Sequence, residues 1–531
     1  TIINVITYYF ITGTFILPFS IIIIEYLVTL FLMVFSRVTV KILYSEYVNQ
    51  NKEKTNVIIF GAGEAGIISK NSLDKDQRIK YKIVAFIDDN KKIAGKKMEQ
   101  IPIYHSSKLN EILSNNEIDH LIVSIQNLAS KRLNEITEVC LKHNVKVLTV
   151  PPVSKWINGE LSIKQIKSVQ IEDLLGRTEI KLDEKETAQQ LFGKTILVTG
   201  AAGSIGSGIV RQVVKFNPKQ VVLVDQAESP LYEIEFEINQ KRTGKICEVI
   251  IGDIRSKDRM QNIFNTFKPN IVYHAAAYKH VPLMENNPSE AILTNVLGTK
   301  IIADLSVEHQ VERFVMVSTD KAVNPTNVMG ASKRIAEIYT QSLNKNTTTD
   351  FITTRFGNVL GSNGSVIPLF KKQIEQGGPI TVTDPNITRY FMTIPEACQL
   401  VLEAGTIGNG GEIYVFDMGK SIKIVDLAKK MVKLSGLELG KDIQIVFSGL
   451  RPGEKLYEEL LNNKENTLPT QNNQIMVAQV KKYNFEEVKA KIESLINLFN
   501  SQDNMAIVGI MKELVPEFKS KNSIYEKLDK N

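Results

Sequence analysis

TILVTGAAGSIGS, residues 195–207, is the stretch that decides the fold. An apolar run stops at Gly200-x-x-Gly203-x-x-Gly206, and IVRQVV (209–214) then spaces its apolar residues as a helix does. The stretch predicts a strand, a tight turn and a helix. Without side chains there, the backbone can approach a pyrophosphate, whose charge sits at the helix N-terminus beside Ser204 and Ile205. The pattern continues in order downstream. VVLVD (221–225) ends in Asp225, placed to hold both ribose hydroxyls and repel a 2′-phosphate; with no Arg directly after it, NAD is favoured over NADP. EVIIGDIRS (248–256) puts Asp253 and Ile254 where an adenine is flanked. IVYHAAAYKH (271–280) supplies a small-residue turn, Ala275, Ala276 and Ala277, with Lys279 beside it toward the substrate. Four elements in this order predict a doubly wound parallel sheet that binds a dinucleotide.

A second α/β pattern precedes this one. Across residues 56–150, NVIIF runs into Gly61-Ala-Gly63-Glu-Ala-Gly66, and KIVAFID ends in Asp88 about twenty residues on, with further strands at HLIVSI and VKVLTV. This predicts a first Rossmann-like domain, which either binds a nucleotide or keeps the turn for packing alone. Tyr104-His-Ser-Ser-Lys108 matches Tyr-x-x-x-Lys by chance, in an expected loop after a proline. Residues 151–191, with a double proline and the only tryptophan, Trp156, read as a linker, inside which IEDLLGR (171–177) is compact enough to dock. Residues 192–531 form the second, larger domain, its end (FEEVKAKIESLINLF, 485–499) serving as C-terminal packing.

Composition excludes several classes. The chain has 531 residues, enough for two or three domains, and 43% hydrophobic with 23% charged residues is a folded composition. A net charge of +6 without long basic runs argues against nucleic acid as a partner. Cys140, Cys247 and Cys398 form no pair motif and read as buried thiols in a reducing compartment, and six scattered histidines give no metal-ligand spacing. The first 36 residues hold one charge, Glu25. That is too long for one crossing of about 20 residues and suggests a transmembrane helix or hairpin turning at Pro18, with Ile21–Phe35 the firmer span and Ile2–Leu17 a shorter one. The chain starts with Thr rather than Met, so further upstream spans are expected to have been removed. Arg37, Lys41, Lys52 and Lys54 in the juxtamembrane linker 37–55 place the rest on the cytoplasmic side of the membrane, with lipid as a partner.

VSTDKAVNPTNVMGASKR (317–334) carries the chemistry. It reads as a strand end, a polar turn and the start of a helix bearing Lys333. The chain here resembles the short-chain dehydrogenase/reductases, whose invariant lysine falls at Lys333 and whose catalytic tyrosine falls at Met329, where a thioether can move no proton. TGAAGSIG, HAAAYKHVP, NVLGT (295–299) and STDKAV narrow the resemblance to the extended members. RFGNVLGSNGSVIP (355–368), TRYFM (388–392) and GLRPGEKLYEELL (449–461) narrow it again, over essentially the whole chain. The chain is similar to the membrane-anchored UDP-N-acetylglucosamine 4,6-dehydratases of bacterial polysaccharide and glycan synthesis, whose large members likewise carry Met in place of Tyr.

The resemblance implies NAD-dependent removal of water across C5 and C6 after oxidation at C4. Adjacent Asp320 and Lys321 at a strand end form an acid/base pair, each biasing the other's pKa. By resemblance, Asp320 protonates the departing C6 hydroxyl, Lys321 takes the C5 proton, Thr319 orients the C4 hydroxyl and Lys333 holds the nicotinamide ribose. Lys321 must then be neutral when it acts, through burial or the neighbouring charge of Lys333. Asp320, or a water relay through Thr319, is the candidate for the C4 proton. Arg389 and Arg451 are candidates for the substrate diphosphate because a guanidinium binds phosphate bidentately. Asn358 donates to sugar or phosphate in this scheme, and Glu454 accepts from the uridine ribose. No metal is expected, and the oligomeric state is left open, a homo-oligomer among the options. Two rivals stand beside this: a nucleotide-sugar C4 epimerase, which needs no acid at C6, and a non-catalytic, membrane-tethered NAD-binding sensor.

Overall fold

The computed structural model describes residues 2–13, 19–50, 54–76, 79–153, 156, 160–175, 184–241, 246–344, 347–459, 467–481 and 483–529. The chain divides into two compact units, one of residues 1–128 and 137–168, the other of residues 129–136 and 169–531.

The first unit begins with helices Ile2–Thr12 and Phe19–Gln50. Within the second helix, Ile23–Tyr44 is the one stretch among the described residues long and apolar enough to cross a membrane, and none of it is buried by protein. The helix does not stop at the first basic residues; Arg37 and Lys41 lie inside it, so most of the expected 37–55 linker is helical. The turn expected at Pro18 lies outside the described residues. A seven-stranded sheet follows, in the order Lys97–Met98, Ile101–His105, Lys80–Asp88, Lys54–Phe60, His120–Val123, Lys146–Thr149, Lys167–Ser168. The four ladders joining Ile101–His105 through Lys146–Thr149 are parallel, and both edge pairs are antiparallel. Central strands buried on both faces are apolar throughout, as in Val57, Ile59, Phe86 and Ile122. Tyr104 lies in one of these strands rather than in a loop.

The expected 151–191 linker is not a spacer. Its Lys167–Ser168 segment closes the first sheet, Trp156 is buried with its Nε1 donating to the Pro151 carbonyl at 2.9 Å, and from Val169 the chain belongs to the second unit. Of IEDLLGR, the helix Ile171–Leu175 is seen; Gly176 and Arg177 lie outside the described residues.

The second unit is built on nine strands in the order Cys247–Ile251, Gln220–Asp225, Thr195–Thr199, Ile271–His274, Arg313–Val317, Asp350–Arg355, Ile413–Phe416, Ile475–Ala478, Thr467–Pro469. The first seven are parallel and the last two antiparallel. Strand order reverses between Thr195–Thr199 and Ile271–His274, the crevice where sheets of this kind take ligands. Apolar clusters cover both faces. The helix Val328–Leu343 is buried except at Gln341, because the C-terminal helices Phe485–Asn497 and Asn504–Leu514 pack over it. Its buried Glu337 is held by Arg334, Arg355 and Ser318 at 2.6–2.9 Å, and burial, which opposes ionisation, is outweighed by the two guanidiniums, holding its carboxyl down to about 2. Such a group tolerates no missing partner; breaking a buried pair costs roughly 3–5 kcal/mol.

Candidate active site

The glycine turn is forced by close packing. Gly200 has φ +68°, and a Cβ there would stand 2.6 Å from the Ala276 nitrogen; a Cβ on Gly206 would stand 2.0 Å from the Gly200 carbonyl oxygen. Strand, turn and the helix Ser204–Val213 therefore meet at backbone distance. Asp225 is clasped by two backbone N–H groups, Ala202 to Oδ2 at 3.0 Å and Ala227 to Oδ1 at 2.9 Å. A cleft of about 140 Å³ opens above, lined among others by Gly200, Gly203, Asp225, Asp253, Ile254, Ala275 and Ala276. Ser204 stands at its rim, its Oγ accepting from the Asn363 N–H at 3.1 Å, and Ile205 packs inward against the core. A cradle that any Cβ would fill, beside a fixed carboxylate, fits a dinucleotide carrying a free ribose 2′-hydroxyl.

Two residues the sequence reading missed hold lining residues of this cleft in place. Arg255 grips Asp253 with three contacts of 2.7–3.0 Å, outweighing burial and holding that carboxyl below its ordinary range. Asn295 sits in a π-helical turn, Ile292–Gly298, and clamps the Tyr278 backbone: its Oδ1 accepts from the N–H at 2.8 Å and its Nδ2 donates to the carbonyl at 3.0 Å. The same Nδ2 reaches Ser332 Oγ at 2.9 Å, tying the loop of Tyr278 to the helix of Lys333. NVLGT was the signal for Asn295, but nothing in five residues says what it touches.

Beyond the strand Arg313–Val317 lies the triplet. Asp320 is 1% exposed, and its Oδ1 accepts from Thr319 Oγ1 at 2.9 Å and Lys321 Nζ at 3.0 Å. Lys321 Nζ also donates to Asn358 Oδ1 at 3.2 Å and lies 3.4 Å from Glu458 Oε1. The second oxygens, Asp320 Oδ2 and Glu458 Oε2, are buried without a partner among the described residues. Burial, helped by Glu458, raises the Asp320 pKa against the pull of Lys321. For Lys321 burial acts downward, but Asp320 and Glu458 together win and raise it. This corrects the expected depression: the ammonium is caged by carboxylates, and the nearby cation that opposes them is Arg389. It is Lys333 that burial lowers, to about 8, while its Nζ donates to the Val317 carbonyl at 2.7 Å.

Met329 is 3% exposed and belongs to the apolar core, one residue into a helix capped by Asn327 Oδ1 on the Gly330 N–H at 2.8 Å. A Cβ on Gly330 would lie 2.1 Å from the Lys321 carbonyl oxygen, so only glycine lets this helix touch the strand-end turn. The RPGEK turn is fastened to the same place, since Thr326 and Asn327 both donate to the Gly453 carbonyl, at 2.9 and 3.0 Å. Arg389, expected to bind diphosphate, is instead buried and committed: it lies 3.4 Å from Glu454 and 3.6 Å from Glu458 and donates to the Thr388 carbonyl at 2.7 Å. Glu454 is shared between Arg389 and Arg451. Arg451 is 55% exposed at its side chain and Lys279 is exposed, so these two keep cationic surface for a ligand. Among the described residues no group of acidic, His or Cys side chains could hold a metal ion. Glu458 went unnoticed in KLYEELL because its partners are far away in the chain.

Parallel sheet, glycine turn, clasped aspartate and a strand-end Thr-Asp-Lys beside a buried helix lysine define an enzyme of the extended short-chain dehydrogenase/reductase type. Residues 196–480 match the model of the polysaccharide biosynthesis protein family, and residues 4–151 match that of a CoA-binding domain. The chain belongs to the polysaccharide biosynthesis protein family. It is 47% identical over 469 residues to the capsular polysaccharide biosynthesis protein CapD of Staphylococcus aureus, covering 87% of this chain and 78% of that one. It is 35% identical over 279 residues to a UDP-glucose 4-epimerase of Rickettsia rickettsii, covering 51% of this chain and 79% of that one. Similarity to an inverting UDP-N-acetylglucosamine 4,6-dehydratase of Campylobacter jejuni is 34% over 281 residues, 52% of this chain and 80% of the relative.

Proposed function

We propose that this chain is an NAD-dependent UDP-N-acetylglucosamine 4,6-dehydratase, forming UDP-2-acetamido-2,6-dideoxy-4-hexulose for glycan or polysaccharide synthesis. The apolar helix tethers it to the bacterial inner membrane, Arg37 and Lys41 marking the cytoplasmic end where the catalytic unit works. The observation that carries the proposal is the buried Asp320 carboxyl, raised in pKa and joined to Lys321 at 3.0 Å at the end of the fifth parallel strand from the sheet edge.

The glycine turn and Asp225 would hold NAD, which would supply the hydride acceptor for oxidation at C4 and the hydride donor for C6. Thr319 orients the C4 hydroxyl, and Lys333 with its buried charge holds the nicotinamide ribose. The C4 ketone acidifies the C5 hydrogen. Lys321 rests as an ammonium, so it must first shed a proton; transfer to Asp320 turns the ion pair into a neutral base and a neutral acid, the forms elimination needs. Lys321 then takes the C5 proton, the C–H electrons form the C5–C6 double bond, and the C6–O bond breaks as Asp320 protonates the leaving oxygen. When hydride is restored at C6, the Lys321 ammonium returns a proton to C5, and the proton lost from the C4 hydroxyl, relayed by water past Thr319, re-forms the ammonium, so the pair ends as it began. Arg451 and Lys279 supply charge for the substrate diphosphate, and Asn358 bonds the sugar from beside Lys321.

The test is incubation with UDP-N-acetylglucosamine, followed by NMR for a C4 keto product with a C6 methyl group. Wild type forms it; Asp320→Asn loses the product by about 10³-fold, within the range for a general acid, while still binding NAD. A product that keeps its C6 oxygen would instead favour an epimerase, an activity one relative carries in its name. That reading leaves the buried Asp320 without a task.

A further inference from the structure

The reaction centre contains a second buried carboxylate that the scheme above does not use. Glu458 has a side chain 2% exposed; its Oε1 lies 3.4 Å from Lys321 Nζ and 3.6 Å from Arg389 Nε, and its Oε2 has no partner among the described residues. It arrives from the segment after RPGEK, while Lys321 comes from the strand-end turn and Arg389 from the short strand Thr388–Arg389. Three elements thus converge on one carboxylate.

The Lys321 ammonium donates to Asp320 Oδ1 at 3.0 Å and Asn358 Oδ1 at 3.2 Å, and Glu458 Oε1 stands 3.4 Å away as its second ion-pair partner. Those three contacts fix the direction of a side chain that would otherwise turn about four bonds. The charges around it are Asp320 and Glu458 on one sign, Arg389 and Lys455 on the other, with Glu454 against Arg389 and Glu459 against Lys455 at the periphery. Burying a carboxylate with a free oxygen is costly unless it is needed.

We propose that Glu458 is a positioning residue for the dehydration, holding Lys321 in line with the substrate's C5 hydrogen and setting, through its fixed charge, the pH range in which the Asp320–Lys321 pair works. The proposal rests on the dehydratase reading. Glu458 makes no bond to substrate; it keeps its own proton off while a proton passes from Lys321 Nζ to Asp320, one N–H bond breaking as one O–H bond forms, with total charge unchanged. A negative charge near both groups strengthens the hold of each on a proton. Replacing it by a neutral group of the same shape weakens both.

The experiment is Glu458→Gln in the full chain, with dehydration of UDP-N-acetylglucosamine measured by NMR from pH 5 to 10 and NAD binding followed by fluorescence. The expected result is intact NAD binding, a turnover at least about tenfold lower, and both limbs of the pH–rate profile moved about one unit toward acid. A lower rate with both limbs in place makes Glu458 merely structural and overturns the proposal, as does an unchanged enzyme. Should Glu458→Gln lose NAD binding, Glu458→Asp decides: slower turnover with limbs at their wild-type pH supports the proposal, and displaced limbs overturn it. Failure of wild type itself to form the keto product sinks the dehydratase reading instead, so the two failures are distinguishable.

Discussion

The two glycine turns of this chain are nearly superimposable in their internal bonds and differ in what stands in front of them. In the first unit Ala62 N–H reaches Asp88 Oδ2 at 2.8 Å and Asn90 N–H reaches Oδ1 at 2.8 Å; in the second, Ala202 and Ala227 bind Asp225 in the same way at 3.0 and 2.9 Å. A Cβ on Gly66 would lie 2.1 Å from the Gly61 oxygen, and one on Gly206 lies 2.0 Å from the Gly200 oxygen. The neighbouring strand makes the difference. Two residues beyond its end stands Ile125, 2.8 Å from a Cβ on Gly61, where the second unit has Ala276. After the next strand come Val150, Pro151 and Pro152, where the second unit has Ser318, Thr319 and Asp320. Glycines and a clasped aspartate are thus common to both turns, where strand and helix meet at backbone distance. Space and chemistry are decided by the residues opposite them.

Exchanging those residues tests this. Ala276→Ile puts the first unit's side chain into the second unit's cleft and should weaken NAD binding by about 100-fold, read by titration calorimetry; unchanged affinity would break the comparison. The two aspartates should then part company. Asp225→Asn should lower NAD affinity about tenfold, whereas Asp88→Asn should leave it within about twofold and lower only the first unit's stability by about 1 kcal/mol, seen in thermal melts. Equal losses from both would mean that the first turn also governs the cofactor. The smallest effect is that of pH on Lys333, which has no counterpart in the first unit. Its pKa is about 8 when folded against an ordinary 10.5, so the cationic form is lost as pH rises through 8. Hydride transfer, followed by NADH absorbance in a stopped-flow instrument, should slow several-fold between pH 7 and 9. The unfolded chain holds that proton up to about 10.5, so this group adds stability as pH rises from 8 to 10.5. A hydride rate constant to pH 10 would place the Lys333 charge outside the reaction.

The order Gly200, Asp225, Asp253, Ala276 was legible in the sequence because each feature is local: a strand ending in a turn, a residue at the strand's last position, a run of small side chains. Thr319-Asp320-Lys321 was legible for the same reason. The linker was misread because its polar composition hides the two-residue strand Lys167–Ser168, whose only support is the ladder it completes. The charge on Lys321 was misread because burial is opposed first by the adjacent Asp320 and then by Glu458, which comes from another part of the chain. Arg389 looked free for phosphate until Glu454 and Glu458 were seen beside it.

The sequence by itself determined the elements, the glycine turns and the chemical types at the strand ends, since backbone dihedrals and alternation are set within a few residues. Only the tertiary structure decided which carboxylates surround Lys321, that Met329 joins the core, and that Ile125 and Ala276 face equivalent glycines. Those outcomes depend on distances between side chains far apart in the chain, and electrostatic and packing energies follow distance through space rather than position along the sequence.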